Sequence, residues 1–204
     1  IESKSNSNPI DLLFTQSMLN GNGASNEGGA ILINASLDSL FITGSEITGN
    51  YSSAGSGGCL SVISQACNDL TLSSNTITNN FVSENSDGGF LFLRHDPTII
   101  PDYGNFKLEQ NTCSVTTHNT GSNYSLIYSE IKSFPQGISL LEENVSGFYP
   151  VEGNLYHFEL LEAGPAPSDQ NVTLALHGNT FQDNRCPVFY FSHELASIAT
   201  ELIG

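Results

Sequence analysis

Positive charge is what this 204-residue chain has least of: Lys4, Arg94, Lys107, Lys132 and Arg185 stand against 21 acidic residues, for a formal net charge of −16. Nucleic acid and anionic membrane surfaces are therefore excluded as expected partners, because both need Lys or Arg to neutralise phosphate. No apolar run reaches the length of a membrane-spanning helix, so no membrane insertion is expected, and no signal peptide is visible. Tryptophan is absent, and methionine occurs once. The chain starts at Ile1 and ends on the apolar Leu202-Ile203-Gly204, which reads as a processed or truncated piece of something longer.

What is present is an eleven-residue pattern that returns six times. It reads LLFTQSMLNGN from Leu12, LFITGSEITGN from Leu40, LTLSSNTITNN from Leu70, FKLEQNTCSVT from Phe106, SLLEENVSGFY from Ser139 and LALHGNTFQDN from Leu174. An apolar residue holds the third place (Phe14, Ile42, Leu72, Leu108, Leu141, Leu176) and a small polar one the sixth (Ser17, Ser45, Asn75, Asn111, Asn144, Asn179). Each copy alternates apolar and polar like a strand and is too short for a helical face. One such strand cannot bury its apolar side alone, so successive copies must stack into a continuous core. Successive starts are 28, 30, 36, 33 and 35 residues apart, room for about three short strands and their turns per copy. The expected fold is all-β, a right-handed parallel β-helix of about six coils forming one domain over residues 1–204. The coils run over about 12–191, and 192–204 form a helical cap or connector in which Ser192 caps a segment with Leu195, Ile198 and Leu202 at helical spacing.

Glycine pairs at Gly28-Gly29, Gly57-Gly58 and Gly88-Gly89 each precede a second apolar strand and supply the positive φ that a sharp corner needs. With GGAI at Gly28 to Ile31, FQDN at Phe181 to Asn184, and near variants at Leu19 to Asn22, Ile47 to Asn50 and Ile77 to Asn80, the chain resembles the polymorphic outer-membrane proteins of chlamydiae and related surface proteins, whose repeats carry GGA[ILV] and FxxN tetrapeptides. The match is good over residues 12–93 and loose beyond. That resemblance implies a cell-surface β-helix used for adhesion or display, without catalytic apparatus and without a cofactor.

Five N-x-S/T triplets, at Asn34, Asn50, Asn123, Asn144 and Asn171, are acceptors for N-linked glycan in a eukaryotic secretory pathway. Residues at one place in successive coils lie about 4.8 Å apart. Asn75, Asn111, Asn144 and Asn179 are therefore expected to form a ladder of amides, which leaves Asn144 unavailable to sugar. Asn34, Asn123 and Asn171 lie outside the asparagine columns and are the better acceptors; Asn50, at a coil corner, is intermediate. Four cysteines suit an oxidising compartment. Cys59 and Cys67, within one coil, are the expected disulfide, whereas Cys113 and Cys186 fall two coils apart, roughly 9 to 10 Å, beyond the usual reach of a bridge.

Residue chemistry favours no enzyme. Arg94-His95-Asp96, followed by Pro97, reads as a solvated loop. Glu142-Glu143 and Glu159/Glu162 have the residue type of a glycosidase pair, which must face each other across about 5 to 10 Å, but acidic residues are so frequent here that a solvated face is the default. His177 is expected to point outward, and His118, His157 and His193 stand alone. Pectin-degrading lyases and hydrolases use the same fold with basic residues or clustered Asp and a Gly-His-Gly segment, none of which this chain can spare or shows. No calcium loop is present. Residues 94–105 and 163–170 are expected to project as loops, and Tyr103, Tyr124, Tyr149 and Tyr156 lie in or beside irregular stretches. The expected function is a non-enzymatic extracellular building block of a cell-surface layer or filament, structural or adhesive, associating head to tail with its own copies and meeting a carbohydrate or cell-surface ligand. The alternative is a carbohydrate-active β-helix enzyme.

Overall fold

The computed structural model describes residues 9–64, 67–83, 86–95, 105–114, 125–131, 137–148, 153–160, 171–192 and 197–203. Over these residues the protein is all-β, without a helix, and its strands, numbered β1 to β22 along the chain, pair in parallel. The long sheet joins β1 (Ile10–Thr15), β5 (Leu37–Thr43), β9 (Cys67–Ser73), β13 (Asn105–Glu109), β16 (Gly137–Leu141), β19 (Asn171–His177) and β22 (Ser197–Ile203) in that order. A second sheet of short strands joins β2 (Met18–Asn20), β6 (Glu46–Thr48), β10 (Thr76–Thr78), β14 (Thr112–Ser114), β17 (Asn144–Ser146) and β20 (Thr180–Gln182). A three-stranded sheet holds β3 (Gly23–Ala24), β7 (Tyr51–Ser52) and β11 (Phe81–Val82). The remaining sheet runs β4 (Ile31–Asn34), β8 (Leu60–Ser64), β12 (Leu91–His95), β15 (Ile127–Ile131), β18 (Tyr156–Leu160) and β21 (Phe189–Phe191). Within each sheet successive strands come from successive repeats, the order that a parallel β-helix or related solenoid requires.

Registers show why the alternation works. Phe14, Ile42, Leu72, Leu108, Leu140 and Leu176 align across the long sheet, as do Leu12, Leu40, Leu70, Phe106, Ile138 and Leu174. From Leu40 to Leu140 these side chains are buried, and they pack against Ile33, Val62, Leu93 and Phe158 of the opposite sheet. At roughly 2 kcal/mol for each such side chain removed from water, the paired columns dominate the stabilisation. The fifth repeat differs from expectation by one residue. Leu140 occupies the inward column, while Leu141 pairs with Glu109 and His177. The repeat therefore starts at Ile138, because only that register turns Ile138, Leu140 and Val145 inward together.

Between the long sheet and the second sheet the chain bends at a single residue with left-handed backbone: Gln16, Gly44, Ser74, Gln110, Glu142 and Gly178, with φ between 47° and 61°. Non-glycine residues there cost about 1 kcal/mol each, and the side chain that follows each bend offsets this by bonding its neighbour, as described below. At the later corner, Gly28, Gly57 and Gly88 have φ of 69°, 75° and 70°. Their partners are there for a different reason. A Cβ on Gly58 would lie 2.1 Å from the carbonyl oxygen of Gly89 and 2.4 Å from that of Phe81, so the backbones themselves are in contact.

The C-terminal segment is a strand where a helix was expected. Ser197–Ile203 pairs with β19 over seven residues, placing Ile198, Thr200 and Leu202 opposite Val172, Leu174 and Leu176. The helical spacing of Ile198 and Leu202 is also an alternating one, and the free hydrogen-bonding edge of β19 decides between them. Among the described residues, β1 and β22 are the two edges of the long sheet.

Candidate functional site

Chemistry-bearing side chains converge on the outer face of the sheet β4-β8-β12-β15-β18-β21. Its register aligns Leu32, Ser61, Phe92, Tyr128, His157 and Tyr190 in one outward column, and Asn34, Ile63, Arg94, Glu130 and Glu159 in the next. The strand spacing stacks the rings: Phe92 on Tyr128 at 5.9 Å, Tyr128 on His157 at 4.3 Å and His157 on Tyr190 at 4.5 Å between centroids. Phe92 is wholly buried, Tyr128 is 7% exposed and Tyr190 is 44% exposed, so the stack opens to solvent only toward the last repeat.

Arg94 sits over one end of this stack, its guanidinium carbon 5.0 Å from the Phe92 centroid. Its Nε donates to Glu130 Oε2 at 2.5 Å and an Nη donates to Glu130 Oε1 at 3.4 Å, while Glu27 lies 3.8 Å away. The Glu130 hydrogen bond holds the guanidinium charged against the opposing effect of burial. The Tyr128 hydroxyl donates to Glu159. Burial, then that bond, pushes the phenol well above its ordinary value. His157 Nε2 lies 3.8 Å from Glu159 Oε2, but burial lowers the imidazole against the pull of that carboxylate, so at neutral pH the contact is not an ion pair. Asp87 is pushed up to about 6, first by burial and then by the charges of Glu130 and Glu159, with Arg94 opposing. The face thus sets the one solvent-open ring of the stack, Tyr190, beside a half-buried neutral imidazole, one bound cation and several carboxylates, a set able to meet a sugar ring at Tyr190 and accept its hydroxyl hydrogen bonds.

Arg94 was expected in a solvated loop; it lies instead in β12 and is paired, because the strand continues to His95 and Glu130 falls opposite it in register. Glu159 joins this group, whereas Glu142 and Glu143 are separated by the bend, Glu142 exposed and Glu143 1% exposed. His177 is exposed, as expected. Tyr156 is not at an irregular edge but buried in the core, with no hydrogen-bond partner for its hydroxyl. Asp96, Glu162, Tyr103, Tyr124, Tyr149, His118, His193 and the triplet at Asn123 lie outside the described residues. The grouping of Arg94 with Glu130 and Glu159 was missed because those residues are 36 and 65 positions away; the repeat register, extended to the fourth strand of each copy, contains the signal.

The other expected sites fare unevenly. Asn34 is exposed at the end of β4, and the backbone of Asn171 opens β19. Asn50 is corrected: it is wholly buried, its Oδ1 accepts from Asn22 Nδ2 at 2.9 Å, and its Nδ2 donates to Asn80 Oδ1 at 2.8 Å, so it has no room for a sugar. Asn144 is corrected in the opposite sense, since it is exposed at the start of β17 and belongs to no ladder. The Cys59–Cys67 bridge is not formed: Cys59 is a free thiol, 0% exposed in the core, with its ionisation pushed up to about 12 by burial. The corner at Gly57-Gly58 turns Cys59 inward among core side chains, and Cys67 begins β9 opposite Leu37. Cys113 and Cys186 are also free.

A pocket of about 240 Å³ on the outer face of the long sheet, over Gly137, has Lys107 as its charged wall, and Lys107 is committed to Glu109 at 2.6 Å. Among the described residues no three His, Cys, Asp or Glu side chains gather as a metal ion would require. Comparison with protein-family models, with curated proteins and with solved structures gives no match.

Proposed function

We propose that the chain is a right-handed parallel β-helix of about six coils that serves as a non-enzymatic extracellular building block, structural or adhesive, of a cell-surface layer or filament, extended by head-to-tail contact between copies. The supporting observation is the graded exposure of the first repeat. Leu40, Ile42 and Ile47 are buried, yet their register partners Leu12, Phe14 and Leu19 are only partly covered, and Leu13 and Met18 are 66% and 70% exposed. An apolar, hydrogen-bonding edge of this kind accepts another strand. Light scattering and negative-stain microscopy are expected to show end-to-end assemblies that the double substitution Leu13→Asp/Met18→Asp disperses. A wild-type chain that stays monomeric at high concentration would sink the reading. The exposure of Asn34 supports a glycan there, which intact glycopeptide mass spectrometry of native material checks.

One observation favours the alternative, a carbohydrate-active enzyme: Glu130 and Glu159 lie side by side in register on this face, and Asp87, raised to about 6 by burial and then by their charges, has the character of a general acid. The excess of acid on this face opposes a polyuronate substrate and leaves neutral glycans. Release of reducing sugar that is lost in both Asp87→Asn and Glu159→Gln would replace the non-enzymatic reading.

A further inference from the structure

We propose that Glu143 is held as a neutral carboxylic acid inside a ladder of side-chain amides, its Oε2 hydroxyl donating to the carbonyl of Leu108, so that the stack loosens as rising pH removes that proton. The ladder occupies the position after the first bend: Ser17, Ser45, Asn75, Asn111, Glu143 and Asn179. Each member after Ser17 accepts from the repeat before it. Ser45 N donates to Asn75 Oδ1 at 2.9 Å, Asn75 N and Nδ2 donate to Asn111 Oδ1 at 3.0 and 2.9 Å, and Asn111 N and Nδ2 donate to Glu143 Oε1, both at 2.9 Å. Glu143 N in turn donates to Asn179 Oδ1 at 2.8 Å. Oε1 therefore stands where every flanking rung has an amide oxygen.

The second atom of each flanking side chain is a donor. Asn75, Asn111 and Asn179 use Nδ2 to reach the carbonyls of Ile42, Leu72 and Leu140, at 2.8, 2.9 and 2.8 Å. In the register of the long sheet the equivalent carbonyl for Glu143 belongs to Leu108. Glu143 Oε2 is buried and has no partner, which a carboxylate cannot remedy against a carbonyl and a carboxylic acid can. The surroundings favour the acid. Glu109 adds a like charge, though Lys107 partly neutralises it at 2.6 Å. Cys113 and Tyr156, the other titratable groups that feel Glu143, are buried and pushed up, and so neutral. Burial raises Glu143 from 4.5 to about 7 despite the two opposing bonds from Asn111.

The direction of the effect follows. A carboxyl raised on folding stabilises fully below about 4.5, its unfolded value, and that contribution is lost as pH climbs to about 7, then levels off. The expected loss in the folding equilibrium constant is on the order of a hundredfold. Urea unfolding of the wild type, Glu143→Gln and Glu143→Asn from about pH 4 to about pH 9 reads it directly. The wild type should fall relative to both amides over that window and be the least stable of the three at the alkaline end. Infrared spectroscopy supplies a second readout that needs no folded variant at this position. A protonated-carboxyl band should titrate near neutrality and survive Asp87→Asn, the other raised acid. Parallel pH profiles for wild type and Glu143→Gln, or a band that disappears with Asp87→Asn, would overturn the proposal.

Discussion

The first three repeats and the later ones solve the same stacking problem with different amounts of backbone. Up to residue 93 each repeat carries two ladders and a glycine corner: Asn22, Asn50 and Asn80 bond in series, and Gly29, Gly58 and Gly89 sit in backbone contact. Among the described residues the three-stranded sheet draws its strands from these repeats. Later, Gly89 N donates to Ser125 O, and among the described residues the second ladder is seen again where Asn184 Oδ1 accepts from Phe148 N at 3.0 Å. Buried aromatic side chains, which begin at Phe90 and Phe92 in the last tight repeat, continue there: Phe106, Phe148, Tyr156 and Phe158 are buried, and Phe158 meets Phe106 edge-on at 5.4 Å and stacks on Phe191 at 5.4 Å. Tight corners and small residues fix spacing through the backbone; where corners loosen, ring volume fills the core instead.

The largest effect should come from breaking the tight half at its corner. Gly58→Ala puts a methyl group 2.1 Å from a backbone oxygen that cannot move without shifting the next repeat, and roughly 3 kcal/mol or more of stability should be lost. Gly137→Ala in the later half meets only the Asn105 side-chain oxygen, at 3.1 Å, and should change stability by less than about 1 kcal/mol. Urea unfolding of both variants measures the contrast. Equal losses would mean that the glycine corner does not set the spacing.

The two halves of the second ladder give the next contrast. Asn50→Ala removes the acceptor of Asn22 N and Nδ2 and the side-chain donor to the Leu19 carbonyl, all within 3.1 Å in a fully buried site, while Asn80 Oδ1 keeps the backbone N–H of residue 50, for an expected cost of about 2 to 4 kcal/mol. Asn184→Ala removes bonds to Phe148 N and Val145 O from a half-buried one and should cost about 1 kcal/mol. Hydrogen exchange at the Asn22 and Phe148 amides locates each loss. Similar protection after both substitutions would erase the distinction.

The inward columns were legible in the sequence because alternation and repeat reinforce each other over Leu12 to Leu108. The slip came where both signals were ambiguous: Leu140-Leu141 offers two apolar residues in a row, and aligning on Asn144 prefers the wrong one. The eighth position carried the answer. A start at Ser139 puts Ser146 there, whereas a start at Ile138 puts Val145 there, in line with Ile47, Ile77, Cys113 and Phe181. That single residue also hid Glu143, since an acid in an asparagine column has no local signature. The aromatic and acidic face was hidden for another reason: its members come from the fourth strand of each repeat, past insertions that differ in length, and no motif within one repeat marks them.

The smallest effect is expected at the contact that visibly joins the two halves. Arg94, in the last tight repeat, reaches back to Glu27 and forward to Glu130, and so looks like a clamp across the change of corner. Its side chain is 43% exposed, so water screens both pairs and competes for the guanidinium. Arg94→Ala should therefore cost about 1 kcal/mol or less, part of it lost packing over Phe92. Adding salt should weaken the wild type toward the variant, since exposed pairs are screened within about 10 Å at about 0.1 M. Melting both proteins at low and high salt tests this. A loss rivalling Gly58→Ala, insensitive to salt, would show that the halves are held by this side chain rather than by the continuous backbone pairing of β12 with β15.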